Sequence, residues 1–384
     1  MGIANIIIPF VILISVVVFI HEYGHYYFAK KYGVKVEVFS IGFGKEIFGW
    51  NDKYGTRWKF SWIPLGGYVK FFGDHNIFSD FNKEELRKKY NEQEQNKLLA
   101  FKTLGQKTTI LLGGPLANFF LALVIFTFLN IFVGKDFTPA IINEVQKDSP
   151  AMIAGLKKND IIISIDDRKV KSIMEVSKFI AISTDEFVNF IVSRSNQNLT
   201  FKVKPNIVST KDNFGNKMDK RMIGIQLSPY NNEFNHVKLS PTKAIYYAFN
   251  EIYFVCSFQL KYIWGLIQKL WGQGSGDASQ LGGPIGIAFI SGKVFQMGLL
   301  PFINIIAYIS ISLGLINLFP IPLLDGGHIA LNFIERIKGS EFKKETLENT
   351  FRIGLSIIIA LMVFGAYNDV NRTGFFDYLK SFIS

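Results

Sequence analysis

The sequence predicts an α-helical polytopic membrane protein of about four transmembrane helices, with a membrane re-entrant β-hairpin loop and one inserted α+β domain. Three observations predict it. Four stretches, Ile3 to Ile20, Thr108 to Val133, Phe302 to Phe319 and Ile353 to Tyr367, carry no charged side chain. Each approaches the roughly 20 apolar residues that cross a bilayer. The 384 residues are 49% hydrophobic, with 38 Phe and a mean hydropathy of +0.22, a balance that belongs to membrane proteins. The charged residues gather in blocks after the first apolar run and between the second and third.

The formal charge of +11 raises the question of a nucleic-acid partner, and its distribution answers against one. Lys30, Lys31, Lys35, Lys45, Arg87, Lys88, Lys89 and Lys107 follow the first apolar run, as the positive-inside rule describes. Residues 31–106 are then cytoplasmic and the N-terminus outside, 135–300 outside, the loop 336–350 inside and the C-terminus outside. No Lys or Arg precedes Lys30, so the first segment lacks the basic start of a cleaved signal peptide and is expected to be retained. Cys256 is the sole cysteine; it cannot form an internal disulfide, and apolar packing is its expected role.

The first span, residues 1–30, ends in His21-Glu22-Tyr23-Gly24-His25. Residues four apart share a helix face, so His21 and His25 can aim at one point with Glu22 beside them. This is the H-E-x-x-H arrangement of metal hydrolases, placed where charge is costly and therefore functional by default. Residues 31–106 follow. Within them Val34 to Phe72 reads as short alternating strands punctuated by glycines. Such backbone enters a bilayer only where protein or water satisfies its polar groups, and a free edge could bind an extended peptide. Asp80 to Lys102 is polar and reads as a solvated helix or hairpin.

The second span, 107–134, contains Gly113-Gly114-Pro115-Leu116-Ala117-Asn118, where Gly114 and Asn118 stand one turn apart. Small residues there allow close helix contact and an amide can donate across it. Residues 138–228 are charged and loop-punctuated. Their string Ser149-Pro150-Ala151-Met152-Ile153-Ala154-Gly155-Leu156, continuing to Asn159-Asp160-Ile161-Ile162, resembles the core of bacterial PDZ domains. Asn159 stands where that core has glycine, a mild change because Asn tolerates left-handed backbone. One such domain is expected, over 135–235. Residues 236–300 include Ala244 to Trp271, apolar and aromatic but interrupted by Glu251, Lys261 and Lys269; this reads as an interfacial amphipathic helix, with a fifth span left open. Gln273 to Ile290 is glycine-rich but lacks the ending of a phosphate-binding loop.

Residues 301–370 hold the third and fourth spans, and 371–384 a tail. A zinc hydrolase needs three protein ligands and an open fourth position. His21 and His25 would supply two, and the third is sought on another apolar element. Asn317-Leu318-Phe319-Pro320-Ile321-Pro322-Leu323-Leu324-Asp325-Gly326-Gly327-His328 offers Asp325. Its prolines interrupt helical bonding and its paired glycines permit close backbone approach to a metal. His328 reads as a structural partner rather than a ligand, and His75 and His236 as exposed.

H-E-Y-G-H in the first span, G-x-x-x-N in the second and N-x-F-P-I-P-x-L-D-G-G-H after the third together resemble the bacterial site-2 protease family, the intramembrane zinc metalloproteases of the regulator-of-sigma-E type. Phe39 to Gly44 and Ile63 to Lys70 are similar to that family's re-entrant β-loop, and Gly282 to Ile287 to its segment before the third span. The likeness runs along nearly the whole chain, with one PDZ domain as in the shorter members. It implies Zn2+ held by His21, His25 and Asp325, Glu22 as catalytic base and acid, and substrate contact by Asn118 and Asn317. It also implies a multi-pass protein of the bacterial cytoplasmic membrane with the PDZ domain outside. The partners would be the bilayer and transmembrane substrates already trimmed by another protease, such as anti-sigma factors or signal-peptide remnants. Two rivals remain: a membrane-anchored zinc protease for soluble peptides, and a PDZ scaffold or transporter without protease activity.

Overall fold

A computed structural model describes residues 2–73, 83–183, 185–211, 217–229, 233–272, 278 and 281–372. His75 and most of the glycine-rich stretch 273–280 lie outside them. The chain forms two compact units, one of residues 1–125 with 282–369, the other of 126–281 with 370–384.

Helix α1 (Ala4–Lys31) is followed by strands β1 (Val36–Asn51) and β2 (Arg57–Phe71), short helices α2 (Lys83–Lys89) and α3 (Glu92–Gln95), and helix α4 (Leu104–Phe132). Strands β3 (Lys135–Asp136) and β4 (Ile141–Val145), helix α5 (Pro150–Ala154), strands β5 (Ile161–Ile165) and β6 (Arg168–Lys169) and helix α6 (Ile173–Ile182) come next. Then come β7 (Val188–Arg194), β8 (Gln197–Val203), β9 (Asn206–Lys211), β10 (Lys217–Met222), β11 (Ile225–Ser228) and β12 (His236–Val237). Helices α7 (Pro241–Leu270), α8 (Pro284–Gln296), α9 (Leu299–Asn317), α10 (Asp325–Lys338) and α11 (Lys344–Arg372) complete the chain.

Among the described residues four helices are long and apolar enough to cross a membrane: α1, α4, α9 and residues Glu345–Asn371 of α11. These contain the four apolar runs. The charges at Glu251, Lys261 and Lys269 keep α7, though 30 residues long, outside that set.

In the first unit β1 and β2 are long enough to double back on themselves. Val36 to Ile41 pairs with Phe71 to Gly67 in falling register on one side. On the other, Val38 to Ile41 faces Arg57 to Phe60 with both numbers rising, and Asn51 to Glu46 then closes against Arg57 to Ser61. The result is a curled sheet rather than a two-stranded ribbon. Gly67–Phe71 is left as one edge and Glu46–Asn51 as the other. Gly42, at φ +88°, takes the bend where an added Cβ would meet the Ile63 and Ser61 carbonyls at 2.8 and 2.9 Å. Asp52 ties the turn, accepting from the Tyr54 and Thr56 amides, from Trp58 Nε1 and, at 2.7 Å, from the hydroxyl of Tyr26 on α1. Burial alone would raise the Asp52 carboxyl, but these donors hold it at about 2. Val36, Phe39 and Ile41 bury against Tyr26 and Ala29 of α1 and Ile110 of α4. The sheet is thus seated on the turn of α1 that carries His25.

The helices of this unit meet through glycines. A Cβ at Gly24 would stand 2.1 Å from the Gly113 carbonyl oxygen, and one at Gly113 2.6 Å from that of Gly24. Gly314 of α9 meets the Pro115 carbonyl and Asn118, Gly292 of α8 the backbone of Asn5 and Ile6, and Gly354 of α11 the Pro322 carbonyl. Without side chains at these points the backbones approach closely enough for dispersion and Cα–H contacts to hold helices that have no hydrophobic drive to associate in lipid. The N-terminus of α8 is closed by Asp369, whose Oδ2 accepts from the Gly283 and Gly286 amides at 2.9 and 2.7 Å. Gly283 and Gly286, the described glycines of the glycine-rich stretch which donate here, thus cradle an internal carboxylate.

The second unit holds an antiparallel sheet of order β11-β4-β5-β7-β8, with β6 paired to β5. Ile142, Ile162, Ile165, Val188, Phe190, Val192 and Val203 form its core with Val176 and Ile180 of α6; each fully buried chain of this kind contributes about 1.5–3 kcal/mol. Helix α5 is short for stated reasons: Ser149 Oγ accepts from the Met152 amide, Pro150 is its first residue, and Gly155 ends it in left-handed backbone at φ +94°. Asn159 also adopts left-handed backbone, at φ +69°. Asp160, fully buried, takes a two-pronged ion pair from Arg194 at 2.7 Å through each of Nε and Nη2. That hydrogen bonding outweighs partial burial and raises the Arg194 pKa.

Candidate active site

Helical spacing in α1 sets His21 beside His25, their rings edge-on with centres 4.8 Å apart. Both are buried. Asp325 reaches them from the first residue of α10, with Oδ2 3.2 Å from His21 Nε2 and Oδ1 3.4 Å from His25 Nε2. The two imidazole Nε2 atoms are themselves 3.2 Å apart. The structure therefore brings together the three residues that sequence reasoning chose from positions 300 residues apart. Among the described residues they form the one group whose ligand atoms converge, all within 4.8 Å. Two imidazole nitrogens and a carboxylate converging in this way form a donor set that could hold a divalent cation. Asp325 Oδ2, buried and without a hydrogen-bond donor, makes the same point.

Each histidine is held from behind. His25 Nδ1 donates to the Ile110 carbonyl of α4 at 2.9 Å, which leaves the Nε2 lone pair for a metal. The Asn118 amide lies 3.2 Å from His21 Nδ1 and is fully buried. Both contacts depend on α4 lying against the histidines, which Gly114 permits: a Cβ there would stand 2.3 Å from His25 Nε2 and 2.7 Å from His21 Cε1.

The loop from Leu318 to Leu324 reverses the chain between α9 and α10 and delivers Asp325. Its glycines do something other than approach a metal. A Cβ at Gly326 would meet the Leu318 carbonyl oxygen at 2.3 Å, and one at Gly327 that of Ile321 at 2.1 Å. They let α10 pack under its own entry loop and so fix the direction of the preceding aspartate. His328 is on the same helix, its ring 5.2 Å from Phe351, beside a cavity of about 60 Å³ lined with Leu99, Leu111 and Leu331. It is outside the converging group. His236 is exposed in β12.

Glu22 is half-buried beside the group. The Gly67–Phe71 edge of the sheet runs past it: a Cβ at Gly67 would come 3.1 Å from Glu22 Cγ, and the Val69 amide interacts with the carboxylate. Asn317 is not drawn into the cluster; its amide donates to the Leu313 carbonyl of its own helix at 3.0 Å. Sequence reasoning missed the Ile110 carbonyl, Gly24 and Val69. A carbonyl and an amide leave no mark in residue type, and Gly24 could have been noticed as the small residue inside the histidine pair.

Comparison with known proteins places this geometry. The model of peptidase family M50 matches residues 9–361. A relative from Agrobacterium fabrum, named a zinc metalloprotease, is 37% identical over 95% of this chain and 95% of its own length. Metalloprotease MmpA of Caulobacter vibrioides is 31% identical over 98% of both chains. A relative from Rickettsia conorii, also named a zinc metalloprotease, is 36% identical over 95% of this chain and 98% of its own. The chain accordingly belongs to peptidase family M50, the site-2 protease family, and is a zinc-dependent metalloprotease built into the membrane by several helices.

Proposed function

We propose that the protein is an intramembrane endopeptidase that cuts the transmembrane segments of single-span proteins, with His21, His25 and Asp325 holding zinc. One observation carries the reading: Glu22, next to the converging ligands, has the edge of a β-sheet beside it. Peptide bonds in a transmembrane helix are shielded by their own hydrogen bonds, so a substrate must unwind before it is cut. An unwound strand needs partners for its amides and carbonyls, and the edge at Ile63 to Phe72 offers them by strand addition. Phe43, Ile47, Phe48, Trp62 and Ile63 on this sheet are exposed, which supports a re-entrant position against lipid.

Zinc, when bound, acidifies water and polarises the scissile carbonyl. Glu22 takes the proton from the attacking water and returns it to the leaving amine. Asn118 has two tasks in this reading. With its amide turned so that Oδ1 accepts from His21 Nδ1–H, the His21 Nε2 lone pair is left for the metal and Nδ2 faces the substrate backbone. The turn is supported by His21 itself, because an imidazole that offers Nε2 to a metal keeps its proton on Nδ1 and needs an acceptor there. Asn317, whose Nδ2 donates to the Leu313 carbonyl, is assigned a second contact with the substrate backbone through its amide oxygen.

The PDZ-like domain is assigned the extracytoplasmic side of a bacterial cytoplasmic membrane and the role of size filter, admitting substrates first trimmed by another protease, such as anti-sigma factors or signal-peptide remnants. To test the reading, the reconstituted protein is given single-span substrates with large and small ectodomains beside a soluble peptide of the same cut sequence. Preference for the small-ectodomain membrane substrate is expected. Equal cutting of the soluble peptide would favour the anchored-protease rival, and equal cutting of both ectodomains would remove the filter.

A further inference from the structure

A cavity of about 430 Å³ lies in the second unit between α6, the turn around β6, and α7. Helix α6 turns Val176 and Ile180 into the domain core and shows Glu175, Lys178 and Phe179 to the cavity. Its lining holds six cationic side chains and two carboxylates. Both carboxylates already have a lysine beside them: Lys178 Nζ donates to Glu251 at 2.6 Å, and Lys135 Nζ stands 4.0 Å from Glu175. Two of the other four cations have rings and hydroxyls for company. Lys171 Nζ is 3.5 Å from the Tyr247 hydroxyl and 4.8 Å from that ring's centre, and Arg168 lies 5.9 Å from the centre of Phe179. Among the described residues, neither forms an ion pair.

We propose that this cavity binds the headgroup of an anionic phospholipid. A cation excess in a concave site of this size calls for an anion, and phosphate oxygens accept from Lys and Arg in charge-assisted bonds. The surroundings select a lipid over a free ion. On α7, Tyr253 at the cavity rim is exposed, and Phe249, Leu260 and Trp264 continue as exposed apolar side chains along the helix. A free phosphate has no use for such a stripe. A lipid has, because aromatic side chains beside basic ones are the makeup of helices that lie in the headgroup layer. The function this gives the segment is to hold the domain at the membrane surface through α7.

The test uses the full chain, purified in detergent and stripped of lipid, with short-chain phosphatidylglycerol and phosphatidylcholine below their micelle concentrations and inorganic phosphate as separate ligands. Phosphatidylglycerol is expected to bind at least tenfold tighter than either. Arg168→Gln with Lys171→Gln, two positions outside the domain core, should weaken it on the order of tenfold. The control Lys88→Gln with Lys89→Gln should leave it unchanged. Lys261→Gln, at an exposed position on α7, repeats the test should the double variant fold poorly. Equal binding of the two lipids, full binding by the Arg168 and Lys171 or the Lys261 variants, or phosphate binding as tight as the lipid would each overturn the proposal.

Discussion

Gly114 of α4 lies so close to His25 of α1 that a single methyl group at Gly114 would occupy the space 2.3 Å from His25 Nε2. The relationship makes a prediction with an internal control. Gly114→Ala should cost most bound zinc and all cleavage, because the added carbon displaces a metal-facing nitrogen. Gly105→Ala on the same helix meets nothing within 4 Å and should leave zinc and activity intact, with a helix-propensity gain of up to about 1 kcal/mol. Zinc content of both purified variants checks this.

Asn118 behind His21 separates an acceptor role from a donor role. Asn118→Ala should weaken zinc affinity by roughly 10–100-fold, the usual effect of removing a ligand's hydrogen-bond partner. Asn118→Asp keeps an acceptor for His21 Nδ1–H and should retain zinc, yet lose turnover because it cannot donate to substrate. Competition against a chelator of known affinity reads the first effect, and cleavage at saturating zinc the second.

Asp369 serves the fold rather than the chemistry. Its carboxylate satisfies two amides at the start of α8, so Asp369→Ala leaves them buried without a partner and should cost about 1–3 kcal/mol. Asp369→Asn keeps an acceptor oxygen and should cost less. Thermal unfolding in detergent orders the two variants, and an Asn variant as unstable as the Ala variant would show that charge, not geometry, dominates.

The pair of Asp160 and Arg194 should govern the stability of the antiparallel sheet of the second unit independently of the candidate metal site. Removing one partner of a buried pair strands the other charge, at about 3–5 kcal/mol; Arg194 is partly exposed, which places Asp160→Ala near the lower end. Limited proteolysis should cut the variant within 138–228, while zinc content stays at the wild-type level.

The residues of the candidate site were legible because the chemistry proposed for them resides in side-chain type and spacing. His21, Glu22 and His25 announce themselves within five residues, and Asp325 is the acid beside a broken span. What supports them was hidden for a physical reason. Gly24, Gly314 and Gly354 act by having no side chain opposite a particular backbone atom far along the chain, and nothing local distinguishes such a glycine from a turn glycine. Asp369 lies 86 residues from Gly283, after the last apolar run, where an acid looks merely terminal. The strands of the sheet were visible as alternating residues between glycines. The parallel pairing of Val38–Ile41 with Arg57–Phe60 was not, because it comes from both strands doubling back rather than from any turn signal.

Glu22 is the residue on which the account turns, since it is asked to move protons without holding the metal. The most direct measurement is therefore zinc stoichiometry and cleavage of a single-span substrate by wild type and Glu22→Gln, prepared side by side. The variant is expected to bind zinc as the wild type does and to cleave at least about a hundredfold more slowly, the scale of general acid–base catalysis. A variant that holds zinc and still cleaves at the wild-type rate would contradict this expectation.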